Sequence, residues 1–239
     1  MKVNDLTKLV RKILPLRTCG AVIVAAGNAS RMGGIDKVMA QLSGEAMILR
    51  TVRAFQESDV IQQIVIVTRE DLIPNVQALC QVFNKVTCVV AGGSSRQESV
   101  AAGLRALSSK MQLVAVHDAA RPLITWEVID RTVRAANTYG AAAPAIPVKD
   151  TIKLENGGVI AATPDRSKLR AVQTPQVFDV DILRGALKKA ADDGAEVTDD
   201  CSAVERLGLT VKLVEGDERN LKVTTPMDLK IAQMLLEEM

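Results

Sequence analysis

The stretch Ala25-Ala26-Gly27-Asn28-Ala29-Ser30-Arg31-Met32-Gly33-Gly34-Ile35-Asp36-Lys37 sets two cations, Arg31 and Lys37, in a glycine-containing loop. The apolar run Ala21-Val22-Ile23-Val24-Ala25-Ala26 leads into it, and Met39 opens an apolar-patterned segment behind it. A buried strand ending in such a loop brings backbone N–H groups and side-chain cations around a polyphosphate. Two better-known phosphate templates do not fit. The glycine after Gly27 is Gly33, so G-x-G-x-x-G is absent, and no G-K-[ST] follows. For this stretch alone, a plain strand-to-helix turn that happens to hold cations is the alternative.

A second group is His117-Asp118-Ala119-Ala120-Arg121-Pro122, at the end of the apolar run Leu113-Val114-Ala115-Val116. A carboxylate there, across from a phosphate loop, is placed to hold Mg²⁺, which takes one or two carboxylates plus phosphate oxygens. Arg121 offers a planar fork for a second phosphate. A capping Asp beside a surface Arg is the plainer alternative. His117, the only histidine in the chain, reads as a packed or hydrogen-bonded residue rather than a general base. Gly93, Arg96 and Ser99 lie on or just beyond a turn, where backbone and hydroxyl can meet a base or ribose. Lys222, in Asn220-Leu221-Lys222-Val223-Thr224, is either a site cation at a strand end or a solvated lysine. Thr198-Asp199-Asp200 is acidic enough for a metal, but it has the form of a helix N-cap with acidic first-turn residues and is read as a cap.

These groups need a scaffold, and the hydrophobic pattern supplies one. Ile64-Val65-Ile66-Val67-Thr68 is an unbroken apolar strand of the kind buried on both faces of a parallel sheet. Helical spacing appears over 47–55, near 73–83 and at Val100, Leu104 and Leu107, with a short strand over 87–90. Strand alternating with helix is the pattern of a doubly wound, mostly parallel α/β sheet, which binds ligands outside the carboxyl ends of its strands. Strands ending at Gly27, Gly92-Gly93 and His117-Asp118 should therefore converge on one crevice. Residues 141–147 read as a strand in which Pro144 and Pro147 suggest an edge or a bend.

Thr151–Leu154 and Val159–Ala162 flank Glu155-Asn156-Gly157-Gly158, a hairpin signal. Such an arm, over 150–170, is too small for a core of its own and is expected to pack on a second copy of the chain. Helices near 180–192 and 200–207, a strand over 211–214 and a closing helix from Pro226 complete the domain, 19–239. Ahead of it, residues 1–18 form an extension in which Leu6, Leu9, Val10, Ile13 and Leu14 have amphipathic helical spacing.

Composition narrows the class. At 239 residues and 48% apolar, the chain can bury a large core, and 2% aromatics leave that core to Val, Ile, Leu and Ala. So few aromatics disfavour single-stranded nucleic acid, which needs stacking platforms, and a net charge of +2 gives no broad basic face for a duplex. No run approaches the roughly 18 apolar residues of a membrane span. Cys19, Cys80, Cys88 and Cys201 lack paired metal-ligand spacing, so reduced thiols in a cytoplasm are expected.

Taken together, the chain from Gly20 onward resembles the 2-C-methyl-D-erythritol 4-phosphate cytidylyltransferase family. The resemblance rests on Ala25-Ala26-Gly27 with Arg31-Met32 and Lys37, on Gly92-Gly93 with Arg96 and Ser99-Val100, and on Val116 to Pro122. It continues through Pro147 to Thr151, Thr174-Pro175-Gln176, Thr198-Asp199-Asp200, Val214-Glu215-Gly216 and Asn220 to Thr224. It implies a Rossmann-like nucleotidyltransferase that joins CTP to the sugar phosphate for isoprenoid synthesis by the non-mevalonate route, with Mg²⁺. It further implies that Ala25, Ala26, Gly27, Gly93, Ser99 and Ala119 bind CTP, with Arg31 and Lys37 on its phosphates. Arg31, Lys37 and Lys222 are then the catalytic cations, and Asp118 serves Mg²⁺ and the sugar phosphate. Arg121, Thr151, Thr174 and Lys222 line the acceptor site, and Arg166 on the arm reaches into the other subunit of a homodimer. Two positions depart from the family pattern. The residue after Gly93, often acidic, is Ser94, and the residue before Lys37, often proline, is Asp36.

The attacking group in such a reaction is a phosphate oxygen, already ionised near neutral pH, so no general base is required and cations should dominate. Two rival readings remain. One is the same chemistry on another polyol phosphate, such as ribitol 5-phosphate. The other is a catalytically silent nucleotide-binding dimer, which would be expected to lack Lys37, Asp118 or Lys222; all are present.

Overall fold

The computed structural model describes residues 15–27 and 39–238. The amphipathic segment ahead of Pro15 and the loop positions Arg31, Asp36 and Lys37 lie outside these residues. Strands run in the order β1 (Cys19–Val24), β2 (Gln41–Leu42), β3 (Glu45–Ala46), β4 (Gln63–Thr68), β5 (Val86–Ala91), β6 (Leu113–Asp118) and β7 (Ala141–Pro147). They continue with β8 (Leu154–Asn156), β9 (Val159–Ala162), β10 (Arg170–Val172), β11 (Gln176–Asp179) and β12 (Lys212–Glu215).

An eight-stranded sheet runs β10-β7-β11-β6-β1-β4-β5, with β12 paired to β7. β1 is parallel to β4 and β6, β4 to β5, and β7 to β12, whereas β10 and β11 run antiparallel to their neighbours. This is the doubly wound, mostly parallel sheet expected.

Side chains one residue apart on a strand point to opposite faces. Ala21, Ile23, Ile64, Ile66 and Ala115 accordingly form one core layer, with Phe55, Ile129 and Val133 from the helices Met47–Glu57 and Trp126–Tyr139. Val22, Val65, Val67, Val114 and Val116 form the other, with Val100 and Leu104 from the helix Arg96–Ala106 and Leu183 and Leu187 from the helix Val180–Asp192. Burial on both faces explains why these strands read as unbroken apolar runs. Gly103 lets its helix close on the sheet: a Cβ there would lie 2.3 Å from Val22 Cγ1.

A third cluster joins Leu42 and Met47 to Ala120, Leu123, Val223 and Ala232, the last on the closing helix Pro226–Glu237. The backbone N–H of Val223 donates to the Ala120 carbonyl at 2.8 Å. This contact docks the segment carrying Lys222 beside the end of β6.

Beyond the short strands β2, β3, β10 and β11, for which there was no expectation, three elements differ from what the sequence suggested. The helix Trp126–Tyr139, ended by Gly140 at φ 83°, lies in a stretch for which no element was expected, although Val128, Ile129, Thr132, Val133 and Ala136 form its buried stripe. β7 is not an edge. It carries β12, β11 and β10, and Pro144 falls where its partner changes from Val177 (opposite Ala142) to Val172 (opposite Ala145). On the β10/β11 side ladder pairing lapses there, while β12 keeps Val214 opposite Pro144 on the other side, so the Pro N–H is missing where no regular bond is called for. Third, the arm's first strand is β8 at 154–156 rather than 151–154, and Gly157 and Gly158, at φ 59° and 83°, make the tight turn to β9.

Candidate active site

Backbone hydrogen bonds tie the strand ends into one floor. Ala25 N donates to Val67 O at 2.7 Å, Gly92 N to Thr68 O at 2.8 Å, and Ala119 N to Val24 O at 2.9 Å. Above them opens a cavity of about 430 Å³ whose walls include Ala25, Ala26, Gly27, Gly93, Ser99 and Asp118. The three loops thus converge as their strand order requires. Gly92 is what brings two of them together, because a Cβ on it would lie 2.6 Å from Ala26 Cβ and 2.7 Å from Ser99 Oγ. Ser99 Oγ accepts from Gly93 N (3.2 Å) and donates to Ser95 O (2.9 Å), pinning the turn to the first turn of its helix. At the departure position, Ser94 N and Oγ donate to Glu98 Oε2 at 2.6 and 2.7 Å, so a carboxylate stands beside that turn although residue 94 is not acidic. Ala119 is sealed behind the wall. Its carbonyl accepts from Thr51 Oγ1, and its neighbour Ala120 faces the cavity.

Asp118 is the electrostatic centre. Lys222 Nζ lies 2.8 Å from its Oδ2, Arg96 Nε 3.5 Å from its Oδ1, and Arg121 Nε 3.9 Å from Oδ2. Burial alone would raise this carboxyl; the charges of Lys222, Arg96 and Arg121 outweigh it and hold the pKa at about 2. Burial pulls the Arg121 guanidinium below its ordinary range, yet Nη1 is fixed on the Asn220 carbonyl at 2.6 Å.

A second, smaller cavity of about 180 Å³ adjoins, lined by Arg121, Thr174, Gln176 and Asp199. Arg96, Asp118 and Lys222 line both cavities and so form their common wall. Among the described residues, no group of three or more His, Cys, Asp or Glu is arranged to hold a metal ion. The large cavity offers Asp118 and Glu70, which fits an ion that takes most of its ligands from phosphate and water.

Thr174 is brought in by an excursion between β10 and β11, where residues 173–176 stand opposite only positions 143–144 of β7. Its Oγ1 accepts from Asp118 N at 3.2 Å and lies 2.9 Å from His117 Nδ1. His117 Nε2 faces the Arg121 carbonyl at 3.3 Å. A carbonyl only accepts, so Nε2 carries the proton and Nδ1 receives the Thr174 hydroxyl. Desolvation of this fully buried ring pushes its pKa down to about 3. His117 is a packed, neutral hydrogen-bonding residue, as the sequence suggested. Asn220, fully buried, donates from Nδ2 to the Thr174 carbonyl at 2.9 Å and closes the network under Arg121.

The arm residues are not brought to this site within one chain. Thr151 and Arg166 are exposed; Arg166 Nη1 donates to Lys149 O at 2.5 Å, beside a shallow cavity that holds Asp165 and Arg170. One of the two neighbouring acids acquires a part that the sequence reading did not give it. Asp199 is indeed an N-cap, with a capping box to Ser202. Asp200 is more than a first-turn acid: it is 1% exposed and pairs with Arg96 Nη2 at 2.8 Å. Its carboxyl is raised by burial and opposed by Arg96, whose own guanidinium is desolvated yet held charged by Asp200 and Asp118.

The cysteines behave as small core residues. Cys19, Cys80 and Cys201 are buried, none is in a disulfide, and burial pushes the Cys80 thiol up to about 11. Among the described residues, no helix is long and apolar enough to cross a membrane.

Comparison with known proteins agrees with this geometry. The family model described as IspD, 2-C-methyl-D-erythritol 4-phosphate cytidylyltransferase, matches residues 19–238. A protein of that name from Symbiobacterium thermophilum is 48% identical over 219 residues, covering 91% of this chain and 92% of the relative. Another, from Caldanaerobacter subterraneus, is 42% identical over 227 residues, covering 91% and 98%. Among solved structures, the 4-diphosphocytidyl-2C-methyl-D-erythritol synthase of Anaerococcus prevotii superposes with a TM-score of 0.85 at 27% identity, covering 93% of this chain and 100% of that one. The Thermus thermophilus cytidylyltransferase gives 0.77 at 33%, covering 90% and 98%. On sequence, fold and the arrangement of the strand-end loops, this chain belongs to the 2-C-methyl-D-erythritol 4-phosphate cytidylyltransferase family.

Proposed function

We propose that the larger cavity takes CTP and the smaller one the acceptor phosphate, and that the chain transfers the cytidylyl group of CTP to 2-C-methyl-D-erythritol 4-phosphate with release of pyrophosphate. The observation that carries this reading is the common wall: Arg96, Asp118 and Lys222 border both cavities, so donor and acceptor would meet across one charged partition.

In this reading Ala25, Ala26, Gly27, Gly93 and Ser99, backed by Ala119, hold the nucleoside. Arg31 and Lys37 hold the triphosphate, and Arg121 and Lys222 receive the acceptor phosphate in the cavity that Thr174 lines. Mg²⁺, when bound, would neutralise the triphosphate, with Asp118 as its protein ligand. The acceptor phosphate is ionised at neutral pH, and the one histidine is buried and neutral, so positioning and charge stabilisation supply the catalysis.

The arm supports a dimer in which Thr151 and Arg166 complete the acceptor site of a second copy. Among the described residues the β8–β9 hairpin pairs only with itself, and it leaves Leu154, Val159 and Ile160 more than half exposed, at 54%, 67% and 65%. Such a hairpin is stabilised by covering that face.

The test is pyrophosphate release from CTP and Mg²⁺ with a panel of polyol phosphates. Methylerythritol phosphate should be the best acceptor. Release with ribitol 5-phosphate alone would reassign the acceptor, and no release with any acceptor would favour a silent nucleotide-binding module.

A further inference from the structure

Arg96 enters the chemistry just described only as part of the common wall, and Asp200 not at all, yet both are held with more care than a surface staple needs. Asp200 is 1% exposed, and Arg96 Nη2 reaches its Oδ2 at 2.8 Å. From the same guanidinium, Nε faces Asp118 Oδ1 at 3.5 Å, while Lys222 occupies the other oxygen, Oδ2, at 2.8 Å. One planar fork therefore spans two carboxylates, and the two oxygens of Asp118 are addressed by different cations, which fixes the rotation of the carboxylate plane.

The anchor is itself clamped. Gln176, 2% exposed at the start of β11, accepts on Oε1 from Asp200 N (3.0 Å) and Cys201 N (3.1 Å), and donates from Nε2 to Asp199 Oδ2 (2.7 Å). Burying a carboxylate is costly, and a first-turn acid gains its helix-terminus benefit while remaining in water. The burial of Asp200 is therefore unexplained by capping and explained by holding Arg96.

Resting on the proposed function, we infer that Arg96 and Asp200 are a positioning pair for the transfer reaction. Asp200 anchors the Arg96 guanidinium, and Arg96 sets the orientation of the Asp118 carboxylate at the wall between the two cavities. Neither is a catalytic residue in this account; both act through Asp118. A merely structural staple between the helices Arg96–Ala106 and Asp200–Glu205 is the competing explanation.

The two differ in a double-mutant cycle. Arg96→Gln and Asp200→Asn are each made in the native background and in Asp118→Asn. For every variant kcat, KM for CTP, calorimetric affinity for CTP with Mg²⁺, and melting temperature are measured. In the native background each is expected to lower kcat about 10- to 100-fold, with CTP affinity within about threefold. In the Asp118→Asn background the further loss should be under about threefold, because the group they orient is already gone. Arg96→Lys keeps the charge but cannot span both carboxylates, and should remain about tenfold down. If Arg96→Gln melts far below the native protein, Asp200→Asn carries the comparison, since it keeps the side-chain volume and removes only the charge that anchors Arg96. Losses that multiply equally in both backgrounds, or an Arg96→Gln kcat within twofold of native, would overturn the pairing and leave the proposed function standing. A native protein that releases no pyrophosphate with any acceptor would overturn both.

Discussion

Thr174 Oγ1, on the wall of the smaller cavity, lies 2.9 Å from His117 Nδ1 and donates to this fully buried imidazole. The ring's other nitrogen serves the Arg121 carbonyl, so the histidine acts as a strut between two site loops. The pKa near 3 has a thermodynamic consequence. The unfolded chain binds a proton at about pH 6.5 that the folded chain refuses. His117 therefore contributes stability that is fully present above about pH 6.5 and is lost as pH falls toward 3. Urea midpoints of metal-free protein between pH 7 and 4 should fall, and His117→Asn should flatten that dependence. An equally steep fall in the variant would mean that other groups carry it.

Thr174→Val removes the acceptor of the Asp118 backbone N–H and the hydroxyl bound to His117. Thr174 is 4% exposed, so water cannot replace it, and a loss of about 1–3 kcal/mol is expected in denaturant unfolding. Thr174→Ser should restore most of it.

Lys37 is the loop cation assigned to the triphosphate. Lys37→Ala should lower kcat by about 10² to 10³ while CTP still binds by calorimetry, the usual cost of one charge-stabilising donor. Near-native turnover would sink the assignment.

Subunit sharing is checked by mixing. Arg166→Ala and Lys222→Ala should each be nearly inactive alone. Refolded together, half the dimers carry both lesions, one on each chain, and one of their two sites is intact. About a quarter of native activity should return. Ile160→Lys on the exposed face of the arm should shift sedimentation toward monomer and lower activity with it.

Gly103→Ala tests the packing that supports the site. The added Cβ would lie 2.3 Å from Val22 Cγ1 and 2.9 Å from Val67 Cγ2, so overpacking should cost about 1–3 kcal/mol, seen as a lower melting temperature.

How much of this was legible in the sequence follows from range. β1, β4 and β6 are buried on both faces, so their apolar runs announced them, and the glycines beyond β1 and β5 with the acid at the end of β6 announced the crevice. The Gly157-Gly158 turn was equally local. β11 was not legible: its four residues are a strand because β6 and β7 flank them, which no local pattern encodes. The helix Trp126–Tyr139 does carry an amphipathic stripe, set between two stronger strand signals. Asp200 looked like part of a cap because its partner, Arg96, is 104 residues away. Local spacing shows what a residue can do at a helix end; the fold decides which distant charge it meets.

Val223 N on Ala120 O, the bond that docks the closing segment beside β6, ties one wall of the site to nearly the last element of the chain. The opposite wall, at Ala25, follows the first strand. A polypeptide still being synthesised, or clipped anywhere before Lys222, can hold most of the sheet and still lack the cation that faces Asp118. Every strand of the sheet can therefore be made before Asp118 has Lys222 beside it.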